Sequence, residues 1–142
     1  MTKDPTRDYT TAAFRLYSAL GCPTYDKLRD DIYKQELKRR ELLNPEIAIK
    51  QAEIAVAEHE PMLLDILSVQ RTLELLLRGE KQHIIAAVKA VYFPEPTRPL
   101  RRGDISDRVR RFSLSVPTDE RTVYRWLKEA RIMCAALRGL RY

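Results

Sequence analysis

Apolar residues recur at helical spacing along nearly the whole chain, and no stretch alternates over the length of a strand. Residues 6–20 (TRDYTTAAFRLYSAL) read as a helix with Ala13, Leu16, Tyr17 and Leu20 near one face, ended by Gly21-Cys22-Pro23. Residues 24–42 read as a charged helix with a thin stripe of Leu28, Ile32, Leu37 and Leu42, and with Asp30 and Asp31 at pairing distance from Lys34. Asn44-Pro45-Glu46 is a helix start: a cap, a proline at the first position, then an acid. Ile47, Ile49, Ile54, Ala55 and Ala57 follow, up to a boundary at Glu60-Pro61.

Met62 to Leu77 is the most apolar segment, too apolar all round for an isolated surface helix. It is expected to pack on both the N-terminal helices and the C-terminal part, or on another subunit. Arg78-Gly79 ends it, and Glu80 to Phe93 forms another helix with Ile84, Ile85, Val88, Val91 and Tyr92 inward. Pro94, Pro96 and Pro99 predict a stiff extended linker from Phe93 to Leu100. Ile105 to Phe112 is a short helix with Ile105, Val109 and Phe112 on one side, followed by a loop from Ser113 to Pro117. The last helix runs from about Asp119 to Leu137 or Arg138, and Gly139-Leu140 fits a left-handed cap with its hydrophobic contact. The expected fold is all-α, with six or seven helices: an N-terminal arm or bundle over residues 1–61 for oligomerisation or partner contact, then a helix-turn-helix DNA-binding domain over residues 62–142.

The last helix carries the sharpest pattern. Val123, Trp126, Leu127, Ala130, Cys134 and Leu137 share one stripe, while Arg121, Arg125 and Lys128 point the other way, with Thr122 and Tyr124 at the borders. An apolar back and a basic front, entered through Thr118-Asp119-Glu120, suit a helix that enters the major groove. Further along, Ile132, Ala135 and Ala136 occupy the face that was basic. That half is read either as buried under the N-terminal helices or as a surface for a second subunit or RNA polymerase.

Charge sharpens this picture. The net charge is +6, yet residues 1–97 hold 14 basic and 15 acidic side chains, a net −1, and residues 98–142 hold 12 and 5, a net +7. All the excess positive charge lies beside the last helix, which points to a polyanion such as double-stranded DNA. In that reading Arg121 and Arg125 reach guanine edges and Thr122 a base edge or phosphate. Tyr124 borders them, and Lys128 meets a phosphate. Arg101, Arg102, Arg108, Arg110 and Arg111 hold the flanking backbone. About six phosphates contacted predicts a salt slope of roughly −5.

Little else suggests chemistry. Cys22 and Cys134 form neither a disulfide framework nor a zinc pattern, and His59 and His83 have no Cys or His at ligand spacing. There is no P-loop, no dinucleotide fingerprint and no nucleophile elbow. Neither an enzyme, nor a metal, nor a cofactor is expected. The polar N-terminus and the lack of a long apolar run predict no signal peptide, no membrane partner and a cytoplasmic location.

The stretch DERTVYRWLKEAR…ALRGL, preceded by GEKQHIIAAVKAVYF, resembles the C-terminal part of phage late-gene transcriptional activators of the RinA and ArpU type. The resemblance covers about residues 75–142. It implies a helix-turn-helix related to the promoter-binding region 4 of sigma factors. The chain departs from that pattern in the longer connection Phe112–Thr118, in Ser106 where alanine is usual, and in the proline-rich FPEPTRPLRR. The resemblance implies a phage or prophage transcription regulator that acts on double-stranded DNA in the cytoplasm of a bacterial host cell, with the N-terminal helices serving homo-oligomerisation or contact with RNA polymerase. A small terminase-like packaging protein and a helical interaction module without a DNA role are the alternatives.

Overall fold

The computed structural model describes residues 4–140, and among them the chain forms seven α-helices and no strand. They are α1 (Pro5–Ala19), α2 (Tyr25–Arg39), α3 (Pro45–Glu58), α4 (Glu60–Arg78), α5 (Gln82–Tyr92), α6 (Asp104–Ser115) and α7 (Glu120–Arg138). The fold is all-α, as the periodicity predicts.

Local chemistry sets the boundaries. Asp4, Thr24, Asn44 and Asp119 each accept a backbone N–H of the first turn that they precede. Pro5 and Pro45 take first-turn positions where no hydrogen bond is lost. His59 both ends α3 and opens α4. At the far end of α7, Gly139 adopts φ 80°, and its N–H and that of Leu140 bond back to Ala136 and Ala135. This is the left-handed termination that Gly139-Leu140 predicts.

The core gathers α1 and α4 to α7. Phe14, Ile66, Val69, Val88, Val109, Val123 and Leu127 are fully buried in one cluster. α4 is its centre, packing on α1, α2, α5 and α7 and more briefly on α3. That explains its broad apolar circumference. Its two buried hydroxyls are satisfied locally, Ser68 by the Leu64 carbonyl and Thr72 by that of Ser68. α1, on the N-terminal side of residue 61, thus shares the core of the C-terminal helices, whereas α2 and α3 pair with each other.

Three details differ from the sequence reading. The buried stripe of α1 is Thr10, Ala13, Phe14 and Tyr17, not one running to Leu20, which is 40% exposed. Thr10 hides this stripe from an apolar count, because its hydroxyl bonds to the Thr6 carbonyl and can be buried. Second, α6 continues beyond Phe112 to Ser115, with Ser113 and Ser115 hydroxyls bonded to the Arg110 and Phe112 carbonyls. The connection to α7 shrinks to residues 116–119, where Val116 is extended ahead of Pro117.

Third, the segment after α5 is not an extended linker. Glu95 takes φ 49°, and the Arg98 N–H bonds to the Glu95 carbonyl in a turn. The cause is Arg15 of α1. Its buried guanidinium donates to the carbonyls of Tyr92, Pro94, Glu95 and Arg98. Ser18 donates to Phe93 and Arg108 to Val91, so the last carbonyls of α5, which no helix can satisfy, find side-chain donors.

Candidate nucleic-acid interface

α5, α6 and α7 each touch the other two, and α7 also packs on α4 and α1. Val123, Leu127 and Ala130 are fully buried and Cys134 nearly so. Burial pushes the Cys134 thiol up to about 11, partly opposed by a hydrogen bond with Thr72. Trp126 sits at the edge of this stripe, edge-on to His83 of α5 with centroids 4.7 Å apart, and Glu129 pairs with Lys81 at the start of α5. Leu137, expected on the buried stripe, is 38% exposed, because by then the helix has turned it towards the surface groove beside Leu64 and Leu67.

Arg121, Arg125 and Lys128 are exposed. Spaced by four and then three residues, they stand on one line of α7. None of them forms an ion pair among the described residues. Tyr124 flanks this line and is partly exposed; it also borders a cleft of about 340 Å³ towards α1 that includes Arg7 and Arg131. Thr122 is half-buried and committed to the cap: its N–H lies 2.7 Å from Asp119 Oδ1, and its hydroxyl also bonds to that carboxylate. These bonds, first the backbone one, hold the Asp119 carboxyl below its usual value, with help from the charges of Arg121 and Arg125.

The flanking arginines divide. Arg101, Arg102, Arg110 and Arg111 are exposed. Arg110 reaches Glu120 at 3.7 Å and Asp107 at 3.6 Å, which places it against the start of α7. Arg108 is drawn inward: its side chain is 10% exposed, donates to the Val91 carbonyl at 3.0 Å and pairs with Glu95. One turn later, Arg111 lines the surface cleft between the end of α5 and α6, together with Arg98, Asp104 and Asp107.

In the second half of α7 the basic line becomes apolar. Ile132 and Ala136 remain on the surface, whereas Ala135 is fully buried, and Arg138 is fixed to Asp65 of α4 at 2.7 Å. Tyr9 of α1 bonds to the same carboxylate, so α1, α4 and α7 meet there. Nothing in the sequence alone marks Arg15 or Arg98. Both lie outside any amphipathic stripe of basic residues, and their role depends on carbonyls about 80 positions away in the case of Arg15.

No helix of the described residues is long and apolar enough to cross a membrane, and no group of three or more His, Cys, Asp or Glu side chains is placed to hold a metal there. The chain matches no protein-family model, no curated protein and no solved structure.

Proposed function

We propose that the protein binds double-stranded DNA through the basic line of α7, with α6, residues 116–119 and α7 acting as a helix-turn-helix. The observation that carries this reading is the line itself: three exposed cations that form no ion pair among the described residues, on a helix whose opposite side is fully buried. A rigid, well-seated helix loses little freedom when it docks, and unpaired cations need not break an ion pair first. The connection of residues 116–119 has the length such motifs use.

In this reading Arg121 and Arg125 donate bidentately to guanine edges. Lys128, Arg101, Arg102, Arg110 and Arg111 meet phosphates. Arg108 and Thr122 leave the set, since both are engaged within the fold. Five phosphate contacts lower the expected salt slope to about −4.5. The role as a transcription regulator and the phage or prophage origin rest on the resemblance to RinA- and ArpU-type activators alone.

The test is a selection of binding sites from a random duplex library, using the whole chain and its Arg125→Ala variant. The wild type is expected to enrich a defined motif, and the folded variant to lose discrimination at one or two base pairs. Equal enrichment by both proteins, or none by either, contradicts the assignment.

A further inference from the structure

Arg125 is bordered by a carboxylate that it does not engage. On α7 the residues three and four positions from Arg125 are Arg121, Thr122, Lys128 and Glu129, so Glu129 is the one acid at pairing distance along the helix. The like charges of Arg121 and Lys128 favour that pair further. Yet Glu129 is turned to α5, where its Oε1 lies 2.5 Å from Lys81 Nζ. Arg125 forms no ion pair among the described residues. Lys81 is fixed where it stands. Its N–H bonds to the Leu76 carbonyl, its own carbonyl accepts from Ile84 and Ile85, and His83, two residues on, packs edge-on against Trp126 of α7. The other acids at the start of α7 are also held off the basic line: Glu120 reaches Arg110 of α6, and Asp119 caps the helix through the Thr122 N–H.

We propose that Lys81 is a positioning residue for base recognition: it holds the Glu129 carboxylate on the α5 side of α7 and so leaves the Arg125 guanidinium open to a guanine edge. This rests on the DNA reading of α7. Without Lys81 two effects follow. Glu129 gains Arg125 as its nearest cation on the helix, and that pair must break before Arg125 can make two hydrogen bonds to a base. An uncompensated negative charge also stands beside the line that meets DNA. Glu129 follows Arg125 by about 6 Å along the axis, inside the screening length of about 8 Å at physiological salt. The pair with Lys81 is itself half-exposed, with both side chains 41% accessible. Such a pair adds little to stability, and its effect lies in where it puts the carboxylate.

Anisotropy titrations of the whole chain test it, against the selected duplex and against one with the base pair read by Arg125 exchanged. Lys81→Met should weaken binding to the selected duplex at least about threefold and lose the discrimination that Arg125→Ala loses, while melting as the wild type does. Lys81→Arg keeps the charge and should keep the discrimination. Glu129→Gln should leave wild-type affinity within about twofold and, added to Lys81→Met, should restore affinity and discrimination to within about twofold of wild type. Lys89→Met, which removes an equal charge from an exposed position of α5, should discriminate normally. A Lys81→Met variant that discriminates as the wild type does overturns the proposal and leaves the DNA reading intact. So does a Glu129→Gln change that raises affinity by the same factor with and without Lys81, since charges would then simply add. A wild type that binds no duplex removes both readings.

Discussion

The Arg15 guanidinium of α1 lies 2.9 Å from the Glu95 carbonyl, 80 positions further along the chain. Through this bond and three others, the first helix holds the turn that delivers α6 to the core. Replacing Arg15 with methionine keeps the apolar stem but leaves buried carbonyls without donors. The expected loss is about 2–4 kcal/mol in urea denaturation. Arg15→Lys should recover only part of it, because an ammonium cannot match the planar fork of donors. A loss below about 0.5 kcal/mol in either variant would show that the turn stands without the clasp.

Arg108 and Arg111 occupy neighbouring turns of α6 yet should behave oppositely. Arg108→Gln loses the bond to the Val91 carbonyl and should cost about 1–3 kcal/mol of stability. Arg111→Gln should leave stability within about 0.5 kcal/mol and reduce the salt slope of DNA binding by about 1. Paired denaturation and binding titrations check both, and an exchange of the two phenotypes would reverse the assignment of these arginines.

Acid should destabilise the fold in a definable window. The carboxyls of Glu36, Glu95, Asp104 and Asp119 are all held below their usual values. The causes are, respectively, hydrogen bonds from Arg40, from Arg98, from the Arg101 backbone and from the Thr122 backbone. Groups depressed in the folded state contribute stability above their unfolded values, 4.5 for Glu and 3.8 for Asp, and lose it as pH falls through the folded values. The melting temperature should therefore be flat near neutral pH and fall below about pH 4.5. Asp104→Asn should make that decline shallower; an unchanged decline would remove Asp104 from the account.

The two thiols should differ in reactivity. Cys22 is exposed and Cys134 buried, with its thiol raised to about 11 by desolvation. At neutral pH an alkylating reagent should modify Cys22 in the native protein and Cys134 only after denaturation, as peptide mass spectrometry can read. Equal labelling of both in the native state would mean that α7 does not pack on Thr72 as described.

Much of this architecture is legible in the sequence because it follows from local rules. Asn44-Pro45, Asp119 and Gly139-Leu140 mark helix ends by bonds made within a few residues. The amphipathic front of α7 needs only the helical period. What escapes is what long-range contacts decide. Phe14 is fully buried because it stacks on Tyr92, with ring centroids 5.6 Å apart. Proline content suggests extension after α5, but Arg15 gathers the carbonyls there into a turn. Counting cations gives Arg108 to the surface, while the end of α5 takes it inward. At the candidate interface, therefore, the line of Arg121, Arg125 and Lys128 could be read directly, and the sorting of the flanking arginines could not.

The central claim is that the basic line of α7 binds duplex DNA. Fluorescence anisotropy with a labelled mixed-sequence duplex, between about 50 and 200 mM salt, tests it most directly. The wild type should bind with a salt slope of about −4 to −5, and the variant carrying Arg121→Gln, Arg125→Gln and Lys128→Gln, which keeps four of the five phosphate contacts, should bind more weakly with a slope about 1 shallower while melting at the wild-type temperature. No binding by the wild type at low ionic strength, or binding by the triple variant equal to wild type, would contradict the account.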